Sequence, residues 1–230
     1  MPEIFEARIG MIKGFIFDLD GVITDTAELH YLAWNSLAGQ MSWKFDRTVN
    51  ERLRGVSRMD SIRIIQQHNQ AELTDDQLFK LATLKNEIYV DSLDKLSPKD
   101  YLSGALELLE KLKVQGFKIA LGSASKNSQK VLHQLNALNY FDVIGDGNSV
   151  AKSKPAPDVF LFAARQLELK PEECIVYEDA RAGVDAAKIG GFYTVGIGPS
   201  ERVGHADLRC DSMQEATLEA VQSFFEDLFI

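Results

Sequence analysis

Cysteine is scarce in this chain: Cys174 and Cys210 are the only two among 230 residues. Two thiols do not make a disulfide-stapled scaffold, and no disulfide is expected. Cys174 lies in the apolar run "CIVY" and reads as an inert buried thiol. No stretch approaches the 18 or more consecutive apolar residues of a membrane span. The opening "MPEIFEARIGMIKG" lacks a basic segment followed by an apolar one, so a signal peptide is not expected and the cytoplasm is the expected location. Met11 is a candidate alternative start, because the patterned sequence begins after it. Positive charge is also short, with 25 Lys and Arg against 34 Asp and Glu and a formal net charge of -9. That balance argues against general nucleic-acid binding. An anionic substrate then requires a local basic pocket acting against the global field. There is no internal repeat and no low-complexity tract.

What the chain does contain is ordinary core material: 45% hydrophobic and 26% charged residues. That suits one large domain or one domain with an insertion. Five short apolar runs end in polar or glycine clusters: "GFIFDLD" (14–20), "KIALGSAS" (118–125), "DVIGD" (142–146), "CIVYED" (174–179) and "YTVGIG" (193–198). Their continuous, β-branched character predicts strands buried on both faces. Helical patterns alternate with them. "SGALELLEKLKVQG" stops at Gly116, "PDVFLFAARQLEL" opens on Pro157, and "ARAGVDAAKIGG" ends at Gly190 and Gly191. The alternation implies an α/β fold with a doubly wound, Rossmann-like and mostly parallel sheet. Residues 25–96 differ. They read as helices alone, with Leu78, Leu81, Ala82 and Lys85 at helical spacing. The expected organisation is a core of residues 1–24 and 97–230 with a helical domain, 25–96, inserted after the first strand.

Ligands of parallel open sheets bind at the carboxyl ends of the strands, and polar groups recur there. Asp18 and Asp20 close the first strand. On a strand, residues i and i+2 point the same way about 6–7 Å apart, so one carboxylate can attack while the other handles a proton. Asp20-Gly21 alone is also simple turn chemistry, but a turn requires only one acid. Glu178 and Asp179 end the fourth strand. Taken alone they complement a helix dipole; beside Asp18 and Asp20 they form an acid cluster that needs a cation, and hard oxygen ligands suit Mg²⁺. "GSASKNS" puts Ser123 at a strand end and Ser125, Lys126 and Asn127 at a helix start, an anion site or plain serine capping. In "SKPAPD", Lys154 is held extended by the following proline. It is a surface lysine if read alone, or a cation for a transferring phosphoryl group if it meets the acids. Nucleophilic acid, proton-handling acid, metal pair, hydroxyl and lysine are together the equipment for phosphoryl transfer through an acyl-phosphate.

At this point the chain resembles the haloacid dehalogenase superfamily. The pieces are DxDG, a serine at the second strand end, Lys-Pro and an ED pair before a helix, and they extend over 13–225. "FIFDLDGVITDTAELHYLAW", "LRGVSRMDSI", "LKNEIYV", "GSASKN" and "SKPAPDVF" resemble the β-phosphoglucomutase family in particular. That family interconverts β-glucose 1-phosphate and glucose 6-phosphate through β-glucose 1,6-bisphosphate. The resemblance implies Asp18 as nucleophile, Asp20 as general acid/base, and Ser123 and Lys154 as stabilisers of the transferring phosphoryl. It implies one Mg²⁺ on Asp18, the Asp20 carbonyl, Glu178 and Asp179, with glucose 1,6-bisphosphate as phosphoryl donor. The insertion becomes a cap. Gly55, Val56, Ser57 and Arg58 hold the distal phosphate from the cap, and Ser125, Lys126 and Asn127 hold it from the core. Thr26 and His30 sit at the hinge, and Lys85 faces the substrate. Arg54 stands where the family has Lys, and these cations are not interchangeable in geometry. Ser103 replaces a usual Pro.

The expected partner is therefore a small sugar phosphate, with no nucleic acid, no membrane and a monomeric chain. A phosphatase on the same scaffold would share the phospho-aspartate, and differs only in letting water take the phosphoryl. The grip on a second phosphate favours the mutase. A phospho-receiver signalling domain has a similar acid, Ser and Lys set, but the helical insertion and Asp20 argue for turnover instead. His68, His133 and His205 carry no motif, and Tyr31 and Trp34 read as packing residues of the insertion.

Overall fold

A computed structural model describes residues 12–229. The N-terminal segment before residue 12, including Met11, lies outside the described residues. Six strands form one sheet: β1 (Gly14–Phe17), β2 (Lys118–Gly122), β3 (Val143–Gly145), β4 (Cys174–Glu178), β5 (Tyr193–Ile197) and β6 (Leu208–Cys210). Their order is β3-β2-β1-β4-β5-β6, and every pairing is parallel. The expectation of a mostly parallel sheet thus resolves to a fully parallel one. The sixth strand, "LRC", was not anticipated; three residues with an exposed arginine in the middle leave no apolar run to read.

Two-residue periodicity explains why the strands are apolar throughout. Phe15 and Phe17 of β1, Ile119 and Leu121 of β2, and Ile175 and Tyr177 of β4 point into one core. The alternating Ile16, Ala120, Cys174 and Val176 point into a second core on the other face. Helices cover both faces, so the residues of the central strands β1 and β4 are all buried, and each large apolar one contributes about 1.5–3 kcal/mol. The helices α5 (Ala105–Val114), α6 (Ser128–Gln134), α7 (Asp158–Gln166) and α8 (Arg181–Ile189) supply those layers. Short helices at Ser200–Val203, Leu218–Phe224 and Glu226–Phe229 (α9 to α11) follow β5 and β6. Both cysteines are buried and free; burial was expected for Cys174 from its apolar run.

Four helices precede α5 in the connection from β1 to β2: α1 (Thr26–Gln40), α2 (Arg47–Glu51), α3 (Arg58–His68) and α4 (Asp75–Leu93). Of these, α2 has five residues and a single buried one, Val49, too short for a period to show in the sequence. Trp34, Leu37, Leu53, Ile62, Ile65, Leu78 and Ala82 form a third apolar cluster inside this insertion. Its helix starts are well specified: Ser57 caps α3, and Thr74 with Gln77 forms a reciprocal capping box on α4. The two connections to the core run side by side. Thr24 bridges Tyr101, its hydroxyl donates to the Asp100 carbonyl at 2.6 Å, and the Leu102 amide donates to the Ile23 carbonyl at 2.9 Å. Among the described residues no helix is long and apolar enough to cross a membrane.

Candidate active site

The strand order reverses direction at β1, the switch point where doubly wound sheets bind ligands. Asp18 follows β1, Ser123 follows β2, Lys154 lies in the loop after β3, and Glu178 ends β4 with Asp179 next. The chemistry-bearing residues therefore converge at one sheet edge. Asp18 and Asp20 sit just past the strand, not on it: Asp20 forms an isolated bridge to Thr24 in the following turn. The strand spacing expected for the two acids does not apply. Instead the Asp20 amide donates to Asp18 Oδ2 at 2.9 Å.

Asp18, Glu178 and Asp179 are all buried, and one carboxylate oxygen from each lies within 4.8 Å of the others. Three buried acids at this spacing, all hard oxygen donors, fit a divalent cation such as Mg²⁺. Their charge is already partly balanced. Lys154, with its side chain fully buried, places Nζ 2.5 Å from Asp18 Oδ1, donates to Glu178 Oε1 as well, and lies over the Phe160 ring at 4.6 Å. The Ala180 amide donates to Glu178 Oε2 at 2.9 Å. Burial drives the Glu178 carboxyl up to about 8 against the pull of Lys154, and burial drives Asp179 up to about 7 against Arg54. Lys154 keeps its proton despite burial, because Asp18 and Glu178 hold it.

Asp20 has a separate environment. Thr26 donates its hydroxyl proton to Asp20 Oδ1, and His30 Nε2 stands 3.8 Å from the same oxygen. Burial and the neighbouring Asp18 charge push the Asp20 carboxyl up to about 6. Behind His30, Lys85 Nζ lies 2.6 Å from Nδ1 and over the Trp34 and Tyr89 rings. Burial lowers Lys85 to about 7 and holds His30 well below its ordinary value. His30 also stacks on Tyr89 at 3.9 Å. Both residues thus reach the site, with neutral forms favoured by their surroundings.

A cavity of 620 Å³ opens from the acids up to the insertion, within the usual range for small-ligand sites. Asp18, Asp20, Ser123 and Lys154 line its floor; His30, Trp34, Lys85 and the 55–58 loop line its roof; Ser125, Lys126 and Asn127 line one wall. Trp34, read as packing only, does both: it belongs to the apolar cluster of the insertion and faces the cavity. Gly55 has φ +74, and a Cβ there would stand 3.0 Å from Ala180 Cβ, so a side chain would push the loop off the core. Arg58 forms no ion pair among the described residues and is half-buried; burial lowers its pKa. Nearby, Asp60 accepts from the Ser57 hydroxyl at 2.5 Å and faces Arg63 at 3.5 Å. The serine loop differs in one respect from the anion nest expected there. The Ser125 and Asn127 amides donate to the Ser123 and Ser125 hydroxyl oxygens at 3.0 and 3.2 Å, so these two amides are already engaged.

Three contacts that sequence reasoning missed tie the insertion to the core around this cavity. Arg54 Nη1 donates to Asp179 Oδ2 at 2.8 Å, Ser153 Oγ donates to Asp60 Oδ2 at 3.2 Å, and Asn127 Nδ2 donates to Asn86 Oδ1 at 2.9 Å. Each pairs residues far apart in the chain, and only the position of Arg54 beside Gly55 was a visible signal. His68 and His133 are exposed, and His205 pairs with Asp185 at 3.0 Å, so none belongs to the site. Tyr31 packs on Phe45 and under Arg47.

Residues 12–191 match the haloacid dehalogenase-like hydrolase family, and the chain belongs to it. Within that family it is 42% identical to the β-phosphoglucomutase of Bacillus subtilis (strain 168) over 217 residues, covering 94% of this chain and 96% of the relative. The crystal structure of β-phosphoglucomutase from Clostridium difficile superposes with a TM-score of 0.90 at 38% identity, covering 94% of this chain and 98% of that one. A fructose-1-phosphate phosphatase of Escherichia coli (strain K12) is 30% identical over 80% of this chain and 95% of its own.

Proposed function

We propose that the protein is a phosphomutase interconverting β-D-glucose 1-phosphate and D-glucose 6-phosphate. The observation that carries this reading is a cavity with reactive acids at one end and uncommitted cations at the other. Arg58 lines it without a carboxylate partner among the described residues, and Lys126 lines it from the core side. A phosphatase needs one phosphate subsite; a mutase must also grip a second phosphate while the sugar presents either end. The 42% identity to a β-phosphoglucomutase over nearly the whole chain supports the same choice.

In this reading Asp18 attacks phosphorus of β-glucose 1,6-bisphosphate. A P–O bond forms to its carboxylate as the bond to the sugar oxygen breaks, and Asp20, protonated, gives that oxygen its proton. In the return step a hydroxyl of the bound sugar monophosphate attacks the phospho-aspartate. Asp20, now ionised, takes the hydroxyl proton, and Asp18 leaves as carboxylate. The Asp20 pKa of about 6 lets one group serve both steps near neutrality. Mg²⁺ held by Asp18, Glu178, Asp179 and the Asp20 carbonyl would neutralise charge on the transferring phosphoryl. Ser123 and Lys154 hold its oxygens, while Arg58, Ser57, Ser125, Lys126 and Asn127, with the backbone of Gly55 and Val56, hold the distal phosphate. Residues 25–96 act as a cap that closes on the sugar and excludes water. Thr26 and His30 at its base orient Asp20, and Lys85 backs His30.

Phosphorus NMR tests this directly. With β-glucose 1-phosphate, Mg²⁺ and a trace of β-glucose 1,6-bisphosphate, the expected product is glucose 6-phosphate. Free phosphate as the main product would make the protein a phosphatase, the activity named for its Escherichia coli relative.

A further inference from the structure

Arg202 belongs to no motif and sits in α9, on the loop that follows β5. Its Nη1 lies 3.5 Å from Asp179 Oδ2 and 3.8 Å from Glu51 Oε2. Its Nε is buried and has no acceptor among the described residues, so these charges are what hold the guanidinium in place. Arg54 reaches the same Asp179 Oδ2 at 2.8 Å and donates from Nε to Glu51 at 3.0 Å. Two arginines and two acids therefore close a ring. Arg54 and Glu51 come from the insertion, and Arg202 and Asp179 come from the core.

We propose that Arg202 is a positioning residue: with Arg54 and Glu51 it forms a clamp on Asp179 that a divalent cation in the acid cluster must share. This rests on the reading of Asp18, Glu178 and Asp179 as the cation site. Each guanidinium supplies positive charge beside Asp179 and lowers its pull on a second cation. Arg54 reaches Asp179 from the insertion, so this cost is largest with the insertion seated on the core. By linkage, the cation then weakens that seat by the same factor. Glu51 acts in the opposite sense. It draws on both arginines without touching Asp179, and so relieves Asp179 of part of their charge. The clamp thus makes cation binding and closure without substrate antagonistic.

The test is the Kd of Mg²⁺ for the full-length protein without sugar phosphate, measured by isothermal titration calorimetry alongside Tm. Arg202→Ala is expected to bind Mg²⁺ about tenfold more tightly, since a charge roughly 3.5 Å from a ligand carboxylate is lost. Glu51→Gln is expected to bind it several-fold more weakly, and the conservative Arg202→Lys to fall between Arg202→Ala and wild type. A purely structural role would move Tm and shift both Kd values in one direction. Opposite shifts support the clamp; equal Kd values in all variants, or weaker binding by Arg202→Ala, overturn it. Failure of the wild type and every variant to bind Mg²⁺ would overturn the cation site itself and the clamp with it. If Arg202→Ala does not fold, Glu51→Gln and Arg202→Lys still give the two opposite signs.

Discussion

Replacing Lys154 with methionine removes one positive charge and little volume from beneath the acid cluster. Lys154 Nζ is fully buried between Asp18 and Glu178, the latter at 0% exposure. Without it, two buried carboxylates face each other uncompensated. Breaking a buried pair by removing one partner costs about 3–5 kcal/mol. The methionine keeps most of the stem against Phe160, so a cavity adds little. For a chain of this size about 1 kcal/mol is worth ~2–4 °C, so a Tm loss of about 6–20 °C is expected without metal. The loss should depend on pH. Burial already raises Glu178 to about 8, and Lys154 works to lower it; without the lysine the folded-state value rises further. A folded pKa above the unfolded one stabilises fully below the unfolded value and loses that contribution as pH rises through the folded value. Ionising Glu178 without Lys154 beside it costs the variant more than it costs the wild type, so the difference between them is expected to be larger at pH 8.5 than at pH 6. Differential scanning fluorimetry with a chelator at the two pH values reads this out. A Tm at pH 8.5 equal to wild type, or a loss no larger at pH 8.5 than at pH 6, would refute the reasoning.

Stabilisation by Mg²⁺ should grow from pH 5 to pH 8, because protons on Asp179 (about 7) and Glu178 (about 8) must leave before these groups can bind it. The raw Tm is less informative, since His30 and Lys85, both lowered by burial, titrate in the opposite sense; the measurement is the Tm increment with and without Mg²⁺, and an increment that shrinks with pH would contradict the assignment. Asp18→Asn should abolish turnover while keeping the fold, checked by coupled assay and circular dichroism; retained turnover sinks the nucleophile. Arg58→Ala should cost mutase activity far more than hydrolysis of a small phosphate monoester, and equal losses would favour the phosphatase reading. In Asp20→Ala, general acid/base help worth about 10²–10⁴-fold should disappear from single-turnover transfer, and wild-type rates would refute its role.

The core was legible because a parallel sheet covered on both faces leaves continuous apolar runs, as in "GFIF" and "CIVY", each followed by the residue the site needs. Strand ends far apart in the chain then meet in space: Asp18, Ser123, Lys154 and the Glu178-Asp179 pair follow four strands that lie side by side. The short β6 and α2 left no period to detect. The engagement of the Ser125 and Asn127 amides by serine hydroxyls also escaped, because capping and anion binding use the same residues and only geometry separates them.

What the sequence could not show is how the insertion meets the core, since that depends on rigid placement rather than local pattern. Three of the ties, those at the rim of the cavity, share a feature. Arg54 reaches Asp179 in the acid cluster, Asp60 reaches Ser153 next to Lys154, and Asn86 reaches Asn127 in the serine loop. Each joins the insertion to a residue in, or adjacent to, one of the strand-end motifs. Displacing the insertion therefore strips one polar partner from the metal-type acids, one from the lysine loop and one from the anion loop at the same time. In the mutase reading proposed above, water arriving at an open site meets these groups with those partners lost, whereas a sugar phosphate that holds the insertion down meets them held in place. Discrimination against water can thus come from the geometry of the rim as well as from exclusion of solvent, and it resides in residues that no strand-end motif contains.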